Sequence, residues 1–146
     1  MGNKDPTLWS KANCYALVVP LPIVQMLAAL AVQHCMTLKQ GDCKNAFIQS
    51  TLPLDEITII HPPSDYPFSK PNTFWQLQKS LYGFQRAPHH WYKLISSILE
   101  SLEINLKHCP NEPCCFVGTP IPDRPPLDLV LYVNNFIYFS SDPDVE

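Results

Sequence analysis

The sequence predicts an α+β fold, because helix-period and strand-period segments intermix along the chain with no internal repeat and no low-complexity tract. Two segments set the type. Trp91, Leu94, Ile95, Ile98 and Leu102 recur at helical spacing and mark the apolar face of a long helix. Two apolar runs, 127–133 and 136–139, flank Asn134-Asn135 and predict a β-hairpin turning on that asparagine pair. With 46% hydrophobic and 11% aromatic residues in 146 positions, the chain has the material for the core of one domain, or of part of one.

In chain order, residues 1–15 read as irregular. Pro22 suits a helix start, and Ile23, Met26, Leu27, Leu30 and Ala31 follow helical spacing, so residues 22–34 predict a buried helix of about three turns. Pro20, Pro22 and Gln25 interrupt the surrounding apolar stretch, 16–32, whose helical part is too short to span a bilayer. Residues 35–42 predict a strand in which Met36, Leu38 and Gln40 alternate with Thr37, Lys39 and Gly41. A short helical segment over 44–50 follows, then an isoleucine-rich strand over 56–61, a proline-broken loop over 65–71 and a short aromatic strand over 74–78. The longest helix covers 88–103. A short strand over 114–117 and a proline-rich loop over 118–126 lead into the hairpin. A hairpin so near the C-terminus predicts an unprotected edge and a tendency to associate.

The net charge of −3 and pI of about 5.9 argue against an autonomous nucleic-acid binder, which carries a basic excess. Six cysteines without framework spacing, and no secretory signal, predict reduced thiols in an intracellular protein of cytoplasm or nucleus, with no membrane partner. His108-Cys109 and Cys114-Cys115 lack the paired C-x-x-C knuckle of zinc modules and read as a strand-end packing cluster. His89 and His90 are adjacent and diverge around a helix, so both read as surface histidines. Taken singly, other residues have plain readings: Asp42 as a turn or cap, Phe47 and Trp91 as core, Tyr82-Gly83 as a turn, and Asn134-Asn135 as a good hairpin turn.

Three segments, in order, change that picture. The first is Leu38-Lys39-Gln40-Gly41-Asp42-Cys43-Lys44-Asn45-Ala46-Phe47-Ile48. The second runs Leu77-Gln78-Lys79-Ser80-Leu81-Tyr82-Gly83-Phe84-Gln85-Arg86-Ala87-Pro88-His89-His90-Trp91-Tyr92. The third is Leu131-Tyr132-Val133-Asn134-Asn135. Together they resemble the reverse transcriptase domain of copia-type long-terminal-repeat retrotransposons over about residues 15–140. The family's counterparts are a strand ending in Asp-Val-Lys-x-Ala-Phe-Leu, a block reading Leu-x-Lys-Ser-Leu-Tyr-Gly-Leu-Lys-Gln-Ala-Pro-x-x-Trp-Tyr, and a Tyr-x-Asp-Asp hairpin.

The resemblance implies a reverse transcriptase palm with part of the fingers, an antiparallel sheet packed on helices, the whole chain 1–146 being a partial domain. It implies phosphoryl transfer assisted by two divalent metals, Mg2+ or Mn2+, held by carboxylates. Asp42 is then the first metal-binding carboxylate, and Asn134 and Asn135 stand where the family has the other two. The Cys43 carbonyl would be a neutral ligand, Phe47 would crowd the sugar 2′ position, and Gln85 and Arg86 would meet nucleotide or template where the family has Lys-Gln. The implied partners are an RNA or DNA primer–template, a deoxynucleoside triphosphate and the remainder of a polyprotein.

Asparagine keeps the shape of aspartate and removes the charge, so the expectation is a degenerate, inactive polymerase site with weak or lost metal binding. By the same resemblance the chain starts after the basic fingers residues and stops before the rest of the palm, the thumb and RNase H. The alternatives are a non-catalytic nucleic-acid or protein binding module, with Lys39, Lys44, Lys79, Arg86 and Lys93 as a basic patch, and an enzyme still active through Asp42, asparagine oxygens and Mn2+.

Overall fold

A computed structural model describes residues 14, 18–68, 70–102, 106–118 and 127–141. The readings of 1–15 and 118–126 as irregular fall, apart from Cys14 and Gly118, outside these residues. Among the described residues the elements follow in the order α1 (Leu21–Gln33), β1 (Thr37–Asp42), α2 (Ala46–Gln49), β2 (Ile59–Ile60), β3 (Trp75–Gln76), α3 (Ala87–Ser101), β4 (Leu106–Cys109), β5 (Glu112–Gly118), β6 (Leu127–Tyr132) and β7 (Asn135–Ser140). The class is α+β, with a five-stranded antiparallel sheet in the order β1-β7-β6-β5-β4 and a small antiparallel ribbon of β2 and β3.

Because side chains alternate along strands, the sheet has two distinct faces. On one, Phe116, Leu127, Leu129 and Leu131 pack with Trp91, Ile95 and Leu99 of α3, Ala46 of α2 and Leu106 of β4. On the other, Cys115, Val130 and Phe139 pack with Val19 and with Ala31 of α1. The domain is therefore a sheet between α3 and α1, and α1 contributes the smaller cover.

Several expectations need correction. The sheet-facing side of α1 is Ile23, Val24, Leu27, Ala28 and Ala31, while Met26 and Leu30 face outward, so α1 is not a buried helix. In α3 the buried stripe runs through Trp91, Ile95 and Leu99; Ile98 and Leu102 are 41% and 43% exposed. A stripe drawn from apolar residues alone found Trp91, Leu94 and Ile95 on this face but not His90 and Ser96, which it also carries. The strand expected from residue 35 starts at Thr37. Cys35 adopts φ 53°, and the Cys35 and Met36 N–H groups donate to the Val32 and Ala31 carbonyls, which is a Schellman termination of α1. Leu38 and Gln40 share a face as expected, but it is the exposed one: Leu38 is 51% exposed while Lys39 and Gly41 on the other face of this edge strand are half-buried. The strands expected over 56–61 and 74–78 shrink to the two-residue pairs Ile59–Ile60 and Trp75–Gln76. β4 was not expected at all. Its sequence Leu-Lys-His-Cys carries little strand propensity, and it forms by pairing with β5.

The hairpin is where it was expected, with its turn displaced by one residue. Tyr132 pairs with Asn135, so the two-residue loop is Val133-Asn134 and Asn135 opens β7. Its terminal strand is also not an edge: β7 lies between β1 and β6 and is paired on both sides. The expected association at an open hairpin edge therefore has no basis in this strand.

Asp128 lies partly buried in β6, and burial pushes its carboxyl up from the usual carboxylate range. A folded-state pKa above the unfolded one favours the native chain at low pH, and that contribution is lost as pH rises through the raised value. Asp128→Asn is thus expected to stabilise the protein near neutral pH and to flatten the stability profile just above the carboxylate range. Urea midpoints of both proteins across that range check it, and equal midpoints near neutrality would refute it.

Candidate active site

The site assembles at one end of the sheet. Asp42 ends β1 and pairs directly with Asn135, the first residue of β7. The Cys43 N–H donates to the Asn134 carbonyl at 2.7 Å, which extends the β1–β7 ladder into the turn. The Asn134 side-chain N–H donates to Asp42 Oδ1 at 2.5 Å, and the Asn135 side-chain N–H donates to Asn134 Oδ1 at 3.3 Å. A carboxylate only accepts, so Asn134 must present its amide nitrogen to Asp42. Asp42, Cys43, Asn134 and Asn135 thus form one connected cluster. Burial, then the Asp42 carboxylate, pushes the Cys43 thiol up from its ordinary value.

Directly paired residues share a face, so Gln40 and Asp42 point the same way as Ile137 and Asn135, and as Val130 and Tyr132 beyond them. With Val19 and Val24 they line an open cleft of about 570 Å³ on the α1 side of the sheet. Gly41 lies opposite Phe136, and a Cβ there would run into the ring. Only glycine lets that ring lie over β1 beside Asp42.

Phe47 sits on α2, five residues beyond Asp42, with its ring 4.9 Å from that of Tyr82. Backbone bonds tie the following segments together: Leu52 N–H donates to the Gln78 carbonyl at 3.0 Å, and Ser80 N–H to the Ser50 carbonyl at 2.9 Å. Gln85 lies just ahead of α3, with Oε1 3.9 Å from Cys14 Sγ. Arg86 caps α3, and its Nη1 donates to Glu56 Oε2 at 2.7 Å. His90 Nε2 lies 3.0 Å from the same oxygen, close but off the hydrogen-bonding direction.

His90 is therefore not a surface histidine; it is 7% exposed and turned inward on α3 against Glu56. His89 is half-buried, and its imidazole is held below the usual range by burial first, then by Lys93, His90 and Arg86, with Glu56 opposing. Sequence reading missed Glu56 as the shared partner of Arg86 and His90. Glu56 sits in an irregular segment, and 30 residues separate it from Arg86, so no spacing signal links them.

Cys114 and Cys115 are buried inside β5, and burial is the leading cause that pushes their thiols up to about 12 and about 11. Cys35 is exposed. A disulfide exchange reagent is expected to label Cys35 rapidly and to reach Cys114 and Cys115 only when urea unfolds the chain. Cys35→Ser should remove the fast phase, and rapid labelling of Cys114 in the native chain would contradict the packing. Among the described residues no group of three His, Cys, Asp or Glu side chains is gathered where a metal ion could be held, and no helix is long and apolar enough to cross a membrane.

Comparison with known proteins bears on what this arrangement is. The reverse transcriptase (RNA-dependent DNA polymerase) family description matches residues 9–145. The chain is 28% identical over 144 residues, 97% of its length, to the retrovirus-related Pol polyprotein from transposon RE1 of Arabidopsis thaliana. It is 31% identical over 90 residues, 62% of its length, to that from transposon RE2 of the same plant. To the Pol polyprotein from transposon TNT 1-94 of Nicotiana tabacum it is 27% identical over 128 residues, 88% of its length. The chain spans only 9%, 6% and 9% of these relatives. No solved structure matches it significantly. Matched over nearly its whole length, the chain belongs to the reverse transcriptase family of retrotransposon Pol polyproteins.

Proposed function

We propose that this chain is a partial copia-type reverse transcriptase palm, part of a longer polyprotein, whose polymerase site is silent. The observation that carries the reading is the cluster of Asp42, Asn134 and Asn135, joined by strand pairing and hydrogen bonds yet holding a single carboxylate. In the family's scheme Asp42 is the metal carboxylate and the Cys43 carbonyl a neutral ligand. Phe47 limits the sugar pocket, and Gln85 and Arg86 face nucleotide or template. The primer–template and deoxynucleotide would use the cleft beside Asp42.

The donor set does not fit a pair of Mg2+ or Mn2+ ions. Such ions favour anionic oxygens, and two of the three side chains here are neutral amides. The Asp42 carboxylate already accepts the Asn134 N–H. Arg86 is likewise engaged by Glu56.

The test is primer extension on an RNA template with Mg2+ or Mn2+, comparing this chain with Asn134→Asp/Asn135→Asp after circular dichroism shows both folded. Extension by the double variant alone is the expected result. Extension by the unchanged chain would overturn the silent site. Silence in both, with primer–template bound at low salt, would favour a non-catalytic binding module.

A further inference from the structure

We propose that Trp91 is the positioning residue of the hairpin tip: its indole N–H holds the Val133 carbonyl and keeps the Val133-Asn134 turn in the shape that brings Asn134 onto Asp42. The proposal begins with backbone strain. Val133 adopts φ 57°. Among the described non-glycine residues with positive φ, which are Cys35, Asn45, Asn72 and Val133, it alone is β-branched. A branched Cβ makes this region costly, and the first position of such a two-residue loop is one that glycine favours. Strained turns persist where surrounding contacts over-determine them.

Three contacts do so here. Trp91 Nε1 donates to the Val133 carbonyl at 2.7 Å, Cys43 N–H donates to the Asn134 carbonyl at 2.7 Å, and the Asn134 amide donates to Asp42. The last lies among exposed side chains, where water competes. Trp91 is 2% exposed, and its ring is fixed in the core beside Ile95 and Leu131. A buried indole N–H requires an acceptor. The carbonyl that serves as acceptor belongs to the strained residue itself, so α3 braces the tip from the sheet face opposite the cleft.

This rests on the proposed function only for the name given to the tip, and its test needs neither activity nor metal. Trp91→Phe keeps an aromatic ring in the core and removes the donor. Amide hydrogen exchange in the full chain is compared at Cys43, whose N–H the turn holds, and at Phe116, in β5 and paired on both sides. The expected result is exchange at Cys43 accelerated about five- to tenfold beyond any change at Phe116. Adding Val133→Gly removes the strain and should return Cys43 exchange toward the native rate. Equal acceleration at both sites would make Trp91 a core residue only and overturn the proposal, as would no acceleration at all. If Trp91→Phe alone does not fold, Val133→Gly/Trp91→Phe decides: restored folding supports the brace, and continued failure to fold sinks it.

Discussion

Glu56→Ala is expected to lower stability by about 3 kcal/mol, read as a fall in the urea midpoint at unchanged slope. The Glu56 side chain is 12% exposed and serves two cationic or ionisable partners, Arg86 at 2.7 Å and His90 at 3.0 Å, with side-chain exposures of 18% and 6%. Groups this enclosed are poorly served by water when their partner is removed. The penalty is that of stranding a guanidinium, which is larger than the net worth of the pair. Arg86 retains other interactions, so the loss should lie toward the lower part of the range for broken buried pairs. Glu56→Gln keeps an acceptor and should lose clearly less than Glu56→Ala. Replacing Glu56 and Arg86 together by apolar residues should recover much of the difference, because nothing charged is then left buried. A midpoint unchanged in Glu56→Ala would show that the cluster is solvated and that the ion pair adds little to stability.

The same cluster shows where sequence reading ends. Asp42, Asn134 and Asn135 were legible because each belongs to a local motif of fixed spacing, and strand pairing then brings the motifs together. The hairpin was legible for the same reason, while its turn was placed one residue late. Asn-Asn is the better turn chemistry, and only the register of Tyr132 with Asn135 puts valine at the tip. The buried face of α3 was half legible: Trp91 and Ile95 announce themselves, but His90 is inside because Glu56 is there to meet it. A polar residue is buried by its partner, and the partner here comes from a distant irregular segment. β4 was hidden for a related reason, since its strand character lies in its pairing with β5. Leu38 shows the opposite error. Alternation put it on one face with Gln40, but alternation does not say which face of an edge strand is covered, and here it is that of Lys39 and Gly41.

Asn134→Asp/Asn135→Asp is expected to yield a chain that Mg2+ or Mn2+ stabilises, and to raise cation affinity on the order of a thousandfold. One unit charge pair at about 4 Å with an effective dielectric near 20 is worth roughly 4 kcal/mol, and each tenfold takes about 1.4 kcal/mol. Asp42 and Asn135 are exposed, so solvent screening makes this the scale for both restored charges together. Without cation the double variant should be less stable than the native chain by about 1 kcal/mol. It loses the Asn134 donor to Asp42 and gathers like charges at one point. At a cation concentration about a hundred times the dissociation constant it should regain about 2.7 kcal/mol and overtake the native chain. The order of the two melting temperatures thus reverses on adding cation, while the native value stays fixed. This reversal is independent of primer extension. A double variant that gains stability from cation but extends no primer would have an intact metal site and lack some other part of the polymerase. A native chain stabilised by cation to the same degree would mean that the asparagine oxygens suffice, and the loss of two charges would not explain a silent site.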